Sequence, residues 1–133
     1  MSQSRDGAVA TPVVIIVDDD EAVCESLKFA LELEGLAVRT YSKGAELFDD
    51  LELRNCACFI VDQRLPGMTG MELVAALRER HITAPMILIT SNPTVILRDQ
   101  AAKAAVPILE KPLLGSALFE RVREVIAHPP PIE

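Results

Sequence analysis

Short apolar runs alternate with helical stretches along the whole chain, and this alternation restricts the architecture more than any other feature. Val13–Val17 (VVIIV) is β-branched throughout and predicts a strand buried on both faces. Val23, Leu27, Ala30 and Leu31 then fall on one helical stripe, predicting a helix over residues 21–34 that Gly35 stops. Residues 36–41 alternate, with Leu36, Val38 and Thr40 on one face, as suits a strand nearer an edge. Ser42 is placed to cap a short helix carrying Leu47, Phe48 and Leu51, with the acidic run 49–52 as its solvated face. Residues 57–61 form the next buried strand. A loop with Pro66 and Gly67 leads to a helix over 70–80 with Leu73, Val74 and Leu77 inward. Residues 85–90 (PMILIT) predict a fourth strand, 94–104 a weaker helix and 106–109 a short fifth strand. Ser116 opens a last helix with Leu118, Phe119, Val122, Val125 and Ile126 apolar. Buried strands separated by helices require a parallel sheet with right-handed crossovers and helices on both faces, a doubly wound α/β fold.

The length of 133 residues suits one such domain. Residues 1–10 read as a polar tail, 11–128 as the folded domain, and 129–133 as a Pro-rich tail or the start of a linker. Lys plus Arg is 13 against 20 Asp plus Glu, a net charge of −7, which argues against nucleic-acid binding by this domain. The longest apolar run, residues 56–61, is far short of the roughly 20 residues that span a membrane, so no membrane association is expected. The first ten residues lack the apolar core of a secretory signal. Cys24, Cys56 and Cys58 form no disulfide framework and read as reduced thiols of a cytoplasmic protein. On one strand Cys56 and Cys58 would point to the same face; with no second Cys/His pair to complete a zinc site, they read as packing. His81 and His128 read as surface residues, and Met68 and Met71 as packing.

Ligands of doubly wound folds sit beyond the carboxyl ends of the strands. There this chain places Asp18, Asp19 and Asp20 after the first strand and Asp62 after the third. Thr90, Ser91 and Asn92 follow the fourth, and Glu110, Lys111 and Pro112 the fifth. Asp20 is in the position of a helix cap. Three acids gathered at one edge repel each other and are costly to desolvate, so they make sense around a hard cation such as Mg²⁺. Lys111 offsets one negative charge and the cation two, leaving a neutral pocket able to accept a phosphoryl group. Asp62 would be the nucleophile, forming an aspartyl phosphate to which the Thr90 hydroxyl could donate.

The matching segments are VDDDE at 17–21, FIVDQRLPGMTGMEL at 59–73, MILIT at 86–90 and EKP at 110–112, with Asp62, Pro66 and Gly70 in D-x-x-x-P-x-x-x-G spacing. In these the chain resembles the receiver domains of two-component response regulators, the CheY-like fold, and is most similar to the FixJ-type branch, whose receivers commonly precede a helix-turn-helix DNA-binding domain. The resemblance implies five parallel strands in the order 2-1-3-4-5. It implies that Asp62 is the phosphoacceptor and that Asp18 and Asp19 hold Mg²⁺, or Mn²⁺ in its place, together with Asp62 and the backbone carbonyl of Arg64. Thr90 would be the switch hydroxyl, Lys111 the partner of the phosphate, and the Lys111–Pro112 bond cis. Arg64 and Asn92 occupy positions that tune acyl-phosphate hydrolysis; Arg64 could screen the phosphoryl group or extend into solvent. A sensor histidine kinase would be the donor. The output would be a downstream partner or a C-terminal, DNA-binding domain, with homodimerisation through the fourth helix, fifth strand and fifth helix.

Two departures bear on the output face. Ile108 stands where the family carries an aromatic switch residue. The stretch Ala104-Ala105-Val106-Pro107 replaces the usual Ala-Gly-Ala turn and is one residue shorter. Ala takes positive φ less freely than Gly, and Pro107 lacks an N–H, so the fourth helix is expected to be irregular or shifted. Three functions compete. The first is a phosphorylation switch with no chemistry beyond its own phosphotransfer and autodephosphorylation. The second is a phosphorylation-independent interaction module with an atypical switch face. The third is an aspartate-based phosphohydrolase, which would want Thr where Ala22 stands, and a cap insertion for which the chain has no room.

Overall fold

A computed structural model describes residues 11–50, 53–113 and 115–129. The expected tail 1–10, the end of the Pro-rich tail (130–133), and Leu51 and Glu52 of the acidic run lie outside the described residues. The strands are β1 (Val13–Val17), β2 (Ala37–Tyr41), β3 (Cys58–Asp62), β4 (Met86–Thr90) and β5 (Ile108–Glu110). The helices are α1 (Glu21–Leu33), α2 (Gly44–Leu47), α3 (Gly70–Glu79), α4 (Val95–Lys103) and α5 (Gly115–Ala127). All pairings in the main sheet are parallel, in the order β2-β1-β3-β4-β5. A two-stranded antiparallel hairpin pairs Arg64 with Thr69 and Leu65 with Met68 between β3 and α3.

Strand periodicity divides the core into two layers. Ile15, Val17, Phe59, Val61 and Leu88 face one side and meet Leu73, Val74 and Leu77 of α3 and Leu97 and Ala101 of α4. Val14, Ile16, Ile60, Ile87 and Ile89 face the other and meet Leu27 and Leu31 of α1 and Leu118 and Val122 of α5. Each such side chain contributes about 1.5–3 kcal/mol when fully buried. This two-sided burial is why the strands are apolar throughout rather than alternating.

Several local expectations are corrected. Cys56 packs in the α3 layer and Cys58 in the α1 layer, so the two do not share a face. Cys56 precedes the strand, in the turn after a 3₁₀ segment (Leu53–Asn55), where the two-residue period does not apply. Burial pushes the Cys56 thiol up to about 12 and raises that of Cys58 as well. Lys43, not Ser42, occupies the N-cap of α2, and Ser42 instead donates to Glu46. Asp49 and Asp50 do not lie on a helix face, because α2 ends at Leu47. Asp50 turns inward, accepting from Arg39 Nη1 at 2.9 and 2.7 Å and from the Tyr41 hydroxyl. That arrangement ties the segment after α2 to strand β2.

The fourth helix is regular, against expectation. Thr94 caps it by accepting from the Leu97 amide at 3.1 Å, and the Arg98 amide donates to the Thr94 carbonyl at 2.9 Å. Its exit is a left-handed turn: Ala105 has φ 58° and the Val106 amide donates to the Ala101 carbonyl at 2.8 Å. Ala105 therefore takes the conformation for which glycine is usual, at a cost in backbone strain. This exit consumes Val106, and β5 begins two residues later than predicted, at Ile108. Helix α4 is held to the core by Leu97 and Ala101, and Arg78 of α3 donates to the Ala104 carbonyl at its end. Val95 and Ile96 are 84% and 72% exposed.

Candidate functional site

The carboxyl ends of β1, β3, β4 and the segment after β5 converge on one acidic pocket. Asp18 follows β1, its amide donating to the Tyr41 carbonyl of the neighbouring strand at 3.0 Å. Its side chain is fully buried; Oδ1 accepts from the Asp20 amide at 2.9 Å and Oδ2 from Lys111 Nζ at 3.1 Å. Asp20 points away and caps α1, accepting from Ala22 and Val23 at 3.0 and 3.3 Å. Asp19, between them, is exposed. This division of labour follows from the sharp turn between strand and helix.

Asp62 is the last residue of β3 and is 5% exposed, with Oδ1 3.2 Å from Lys111 Nζ. Burial raises its carboxyl above the ordinary carboxylate range, and the neighbouring Asp18 charge adds to this while Lys111 opposes it. For Lys111, burial disfavours the ammonium, but the hydrogen bond and charge of Asp18, joined by Asp62, outweigh it and raise its pKa. Lys111 thus bridges the two buried carboxylates. Its amide donates to the Thr90 carbonyl at 2.8 Å, and its peptide bond to Pro112 is cis. Thr90 ends β4 beside Asp62 and is 6% exposed; its Oγ1 accepts from the Asn92 amide at 3.2 Å.

Carboxylate oxygens of Asp18, Asp19 and Asp62 can all lie within 4.8 Å of one another. Three hard oxygen donors from two strand ends, with no thiol or imidazole among them, suit an oxygen-seeking divalent cation. Arg64 and Asn92 are exposed, in the hairpin after Asp62 and in the loop after Thr90. Ile108 lies one strand further out and is half-buried against the α3–α4 layer. The structure therefore gathers Asp18, Asp19, Asp62, Thr90 and Lys111, and leaves Arg64, Asn92 and Ile108 around them.

The structure explains one residue that the sequence only marks, and adds another. Gly70 starts α3 directly beneath Asp62: a Cβ there would stand 2.5 Å from the Asp62 carbonyl oxygen. Its place in the D-x-x-x-P-x-x-x-G spacing marked the position without giving the reason. Gln63 accepts from the Met71 amide through its side chain, at 3.1 Å. A glutamine opening a loop gives no sequence signal that distinguishes it from a solvated one.

A doubly wound parallel sheet with three carboxylates and a lysine gathered at its carboxyl edge places the chain among α/β proteins whose ligand site lies at that edge. Within that class, the chain belongs to the response regulator receiver domain family, which matches residues 14–123. It is 37% identical over 117 residues to the C4-dicarboxylate transport transcriptional regulatory protein DctR of Rhodobacter capsulatus, covering 86% of this chain and 59% of DctR. It is 38% identical over 111 residues to the transcriptional regulatory protein FixJ of Azorhizobium caulinodans, covering 83% of this chain and 53% of FixJ. The chain thus spans little more than half the length of these curated relatives. The crystal structure of FixJ-N superposes with a TM-score of 0.77 at 29% identity, over 90% of this chain and 97% of that one. A CheY-like receiver domain from Methanospirillum hungatei JF-1 gives 0.81 at 25% identity, over 89% and 95%. Among the described residues no helix is long and apolar enough to cross a membrane.

Proposed function

We propose that this domain, residues 11–128, takes a phosphoryl group from a sensor histidine kinase onto Asp62 and switches conformation in response. The observation that carries this reading is Lys111 Nζ, 3.1 Å from Asp18 and 3.2 Å from Asp62. It leaves one oxygen of the Asp62 carboxylate free of that bridge and keeps the ammonium where charge develops on a transferring phosphoryl group. Asp62 attacks phosphorus, the phosphorus–nitrogen bond of the donor histidine breaks, and the imidazole, already protonated on its other nitrogen, leaves neutral. Asp18, Asp19, Asp62 and the Arg64 carbonyl would hold Mg²⁺, or Mn²⁺ in its place. The cation supplies charge neutralisation on the phosphoryl oxygens. Thr90 exchanges its present hydrogen bond with the Asn92 amide for one to the phosphoryl group. Arg64 and Asn92, both exposed beside the pocket, tune the rate at which water removes that group again. The chemistry ends at this transfer and autodephosphorylation.

The response travels from Thr90 along β4 and β5 to α4. Ile108 takes the part an aromatic ring plays elsewhere, shifting within its half-buried seat. The partners are a sensor histidine kinase, a second copy through α4, β5 and α5, and a downstream protein or a C-terminal DNA-binding domain. All act in the cytoplasm, where three free buried thiols are stable.

The amide spectrum of the protein with Mg²⁺, before and after beryllofluoride, tests the switch. The account expects shifts at the pocket and also from Thr94 to Ile108. Shifts confined to the residues around Asp62 would contradict a switch and favour an interaction module insensitive to phosphorylation.

A further inference from the structure

Gln63 is the first residue past Asp62, and three hydrogen bonds tie it to two other segments. Its amide donates to the Ile89 carbonyl of β4 at 2.9 Å. Its carbonyl accepts from the Gly70 amide at 2.9 Å, and its side-chain Oε1 from the Met71 amide at 3.1 Å. One residue thereby satisfies the first two amides of α3, which a helix cannot satisfy for itself. The other two amides at this helix start are satisfied separately. Thr69 Oγ1 already accepts from the Glu72 amide at 3.1 Å, and Glu72 Oε1 from the Thr69 amide at 2.8 Å, a complete capping box. What Gln63 adds is a tether between the start of α3 and the residue beside Asp62.

The tether acts at a close backbone contact. Gly70 is packed so closely that an added Cβ would lie 2.5 Å from the Asp62 carbonyl oxygen and 3.0 Å from the Gln63 Cα. The six residues 64–69 leave Gln63 and return to it as the Arg64–Thr69 hairpin, turning at Gly67 with φ 78°. Both ends of that hairpin are therefore pinned at Gln63, and Arg64 lies on its first strand.

We propose that Gln63 is a positioning residue for the acidic pocket: by clasping the start of α3 it fixes the hairpin that presents the Arg64 carbonyl, and so sets the pocket's affinity for a divalent cation. The inference rests on the cation-assisted phosphoacceptor reading above. Partners that orient metal ligands from outside the coordination shell are typically worth about 10-fold or more in affinity.

The test compares wild type with Gln63→Met, which keeps the length but loses the amide oxygen, and Gln63→Glu, which keeps an acceptor. Three readouts are taken: Met71 amide exchange, Mn²⁺ binding followed by the electron spin resonance of the free ion, and the Mg²⁺ dependence of phosphorylation by acetyl phosphate. In Gln63→Met, Met71 exchange speeds up and Mn²⁺ affinity falls about 10-fold. The Mg²⁺ concentration giving half-maximal phosphorylation rises in step, while the rate at saturating Mg²⁺ is unchanged. Gln63→Glu restores Met71 protection and at least wild-type affinity. Gln63→Thr, too short to reach Met71, repeats the loss should the methionine variant fold poorly. Faster Met71 exchange with wild-type cation affinity would overturn the proposal and leave Gln63 a helix cap. Wild type that neither binds Mn²⁺ nor takes a phosphoryl group would instead overturn the phosphoacceptor reading, and this inference with it.

Discussion

At Asp62, burial and the Asp18 charge both work against ionisation, and Lys111 compensates only in part. Its pKa in the folded protein is raised, so the stability gained from its proton is complete below the ordinary carboxylate range and lost as pH rises through the folded value. At neutral pH without divalent cations, ionised Asp62 is therefore a destabilising group. Asp62→Asn, which keeps an acceptor for Lys111, should melt higher than wild type at pH 7, and the difference should close as the pH falls toward 4. Thermal midpoints against pH in the presence of chelator check this; a variant less stable at pH 7 would contradict the electrostatic account. Gly70→Ala probes the neighbouring steric limit. A methyl 2.5 Å from a main-chain carbonyl cannot be absorbed by a side-chain rotation. The expected loss is about 2–3 kcal/mol in denaturant unfolding, with slower phosphorylation of Asp62. The chemical identities of Asp18, Asp62, Thr90 and Lys111 could be read from the sequence because each follows an apolar strand. The clasp of Gln63 could not, because a side-chain hydrogen bond to a helix amide leaves no trace in residue order.

Helices and strands end where local geometry allows, and here the sequence was a poorer guide. An exit without glycine predicts an irregular α4, yet α4 is regular from Val95 to Lys103. Ala105 adopts φ 58° because Val106 gains both burial and a hydrogen bond to Ala101. His81 makes the same compromise after α3, with φ 65° and its amide donating to the Arg78 carbonyl. These are the positive-φ residues other than glycine among the described residues. Ala105→Gly should relieve the strain and stabilise the protein by about 1 kcal/mol, read as a shifted denaturation midpoint at constant m-value. Phosphorylation of Asp62 should be unaffected, since Ala105 lies at the opposite end of the sheet. Cys56 leaves the face of Cys58 because it lies in the turn before β3, where the strand period does not yet hold. A run of acids reads as solvated, but Asp50 turns inward because β2 brings a guanidinium and a phenol to it.

Across the whole molecule, the two-layered core follows directly from five apolar strands separated by helices, so fold class and the position of the site could be inferred together. The pocket then sums the contributions of four strand ends that are far apart in sequence. Asp18 and Lys111 meet across a separation of 93 residues. A cation bound there favours the folded state by mass action, by about 2.7 kcal/mol at a hundredfold excess over its dissociation constant. Mg²⁺ should therefore raise the melting temperature of wild type, and chelation should reverse it; Asp19→Asn should remove most of the effect. An equal rise in Asp19→Asn would place the cation elsewhere. The most direct test is the intact mass of the protein after incubation with Mg²⁺ and acetyl phosphate, for wild type and Asp62→Asn. The account predicts a gain of one phosphoryl group in wild type and none in the variant. A wild type that stays unmodified while a known receiver gains its phosphoryl group, or a variant that gains one equally, would contradict it.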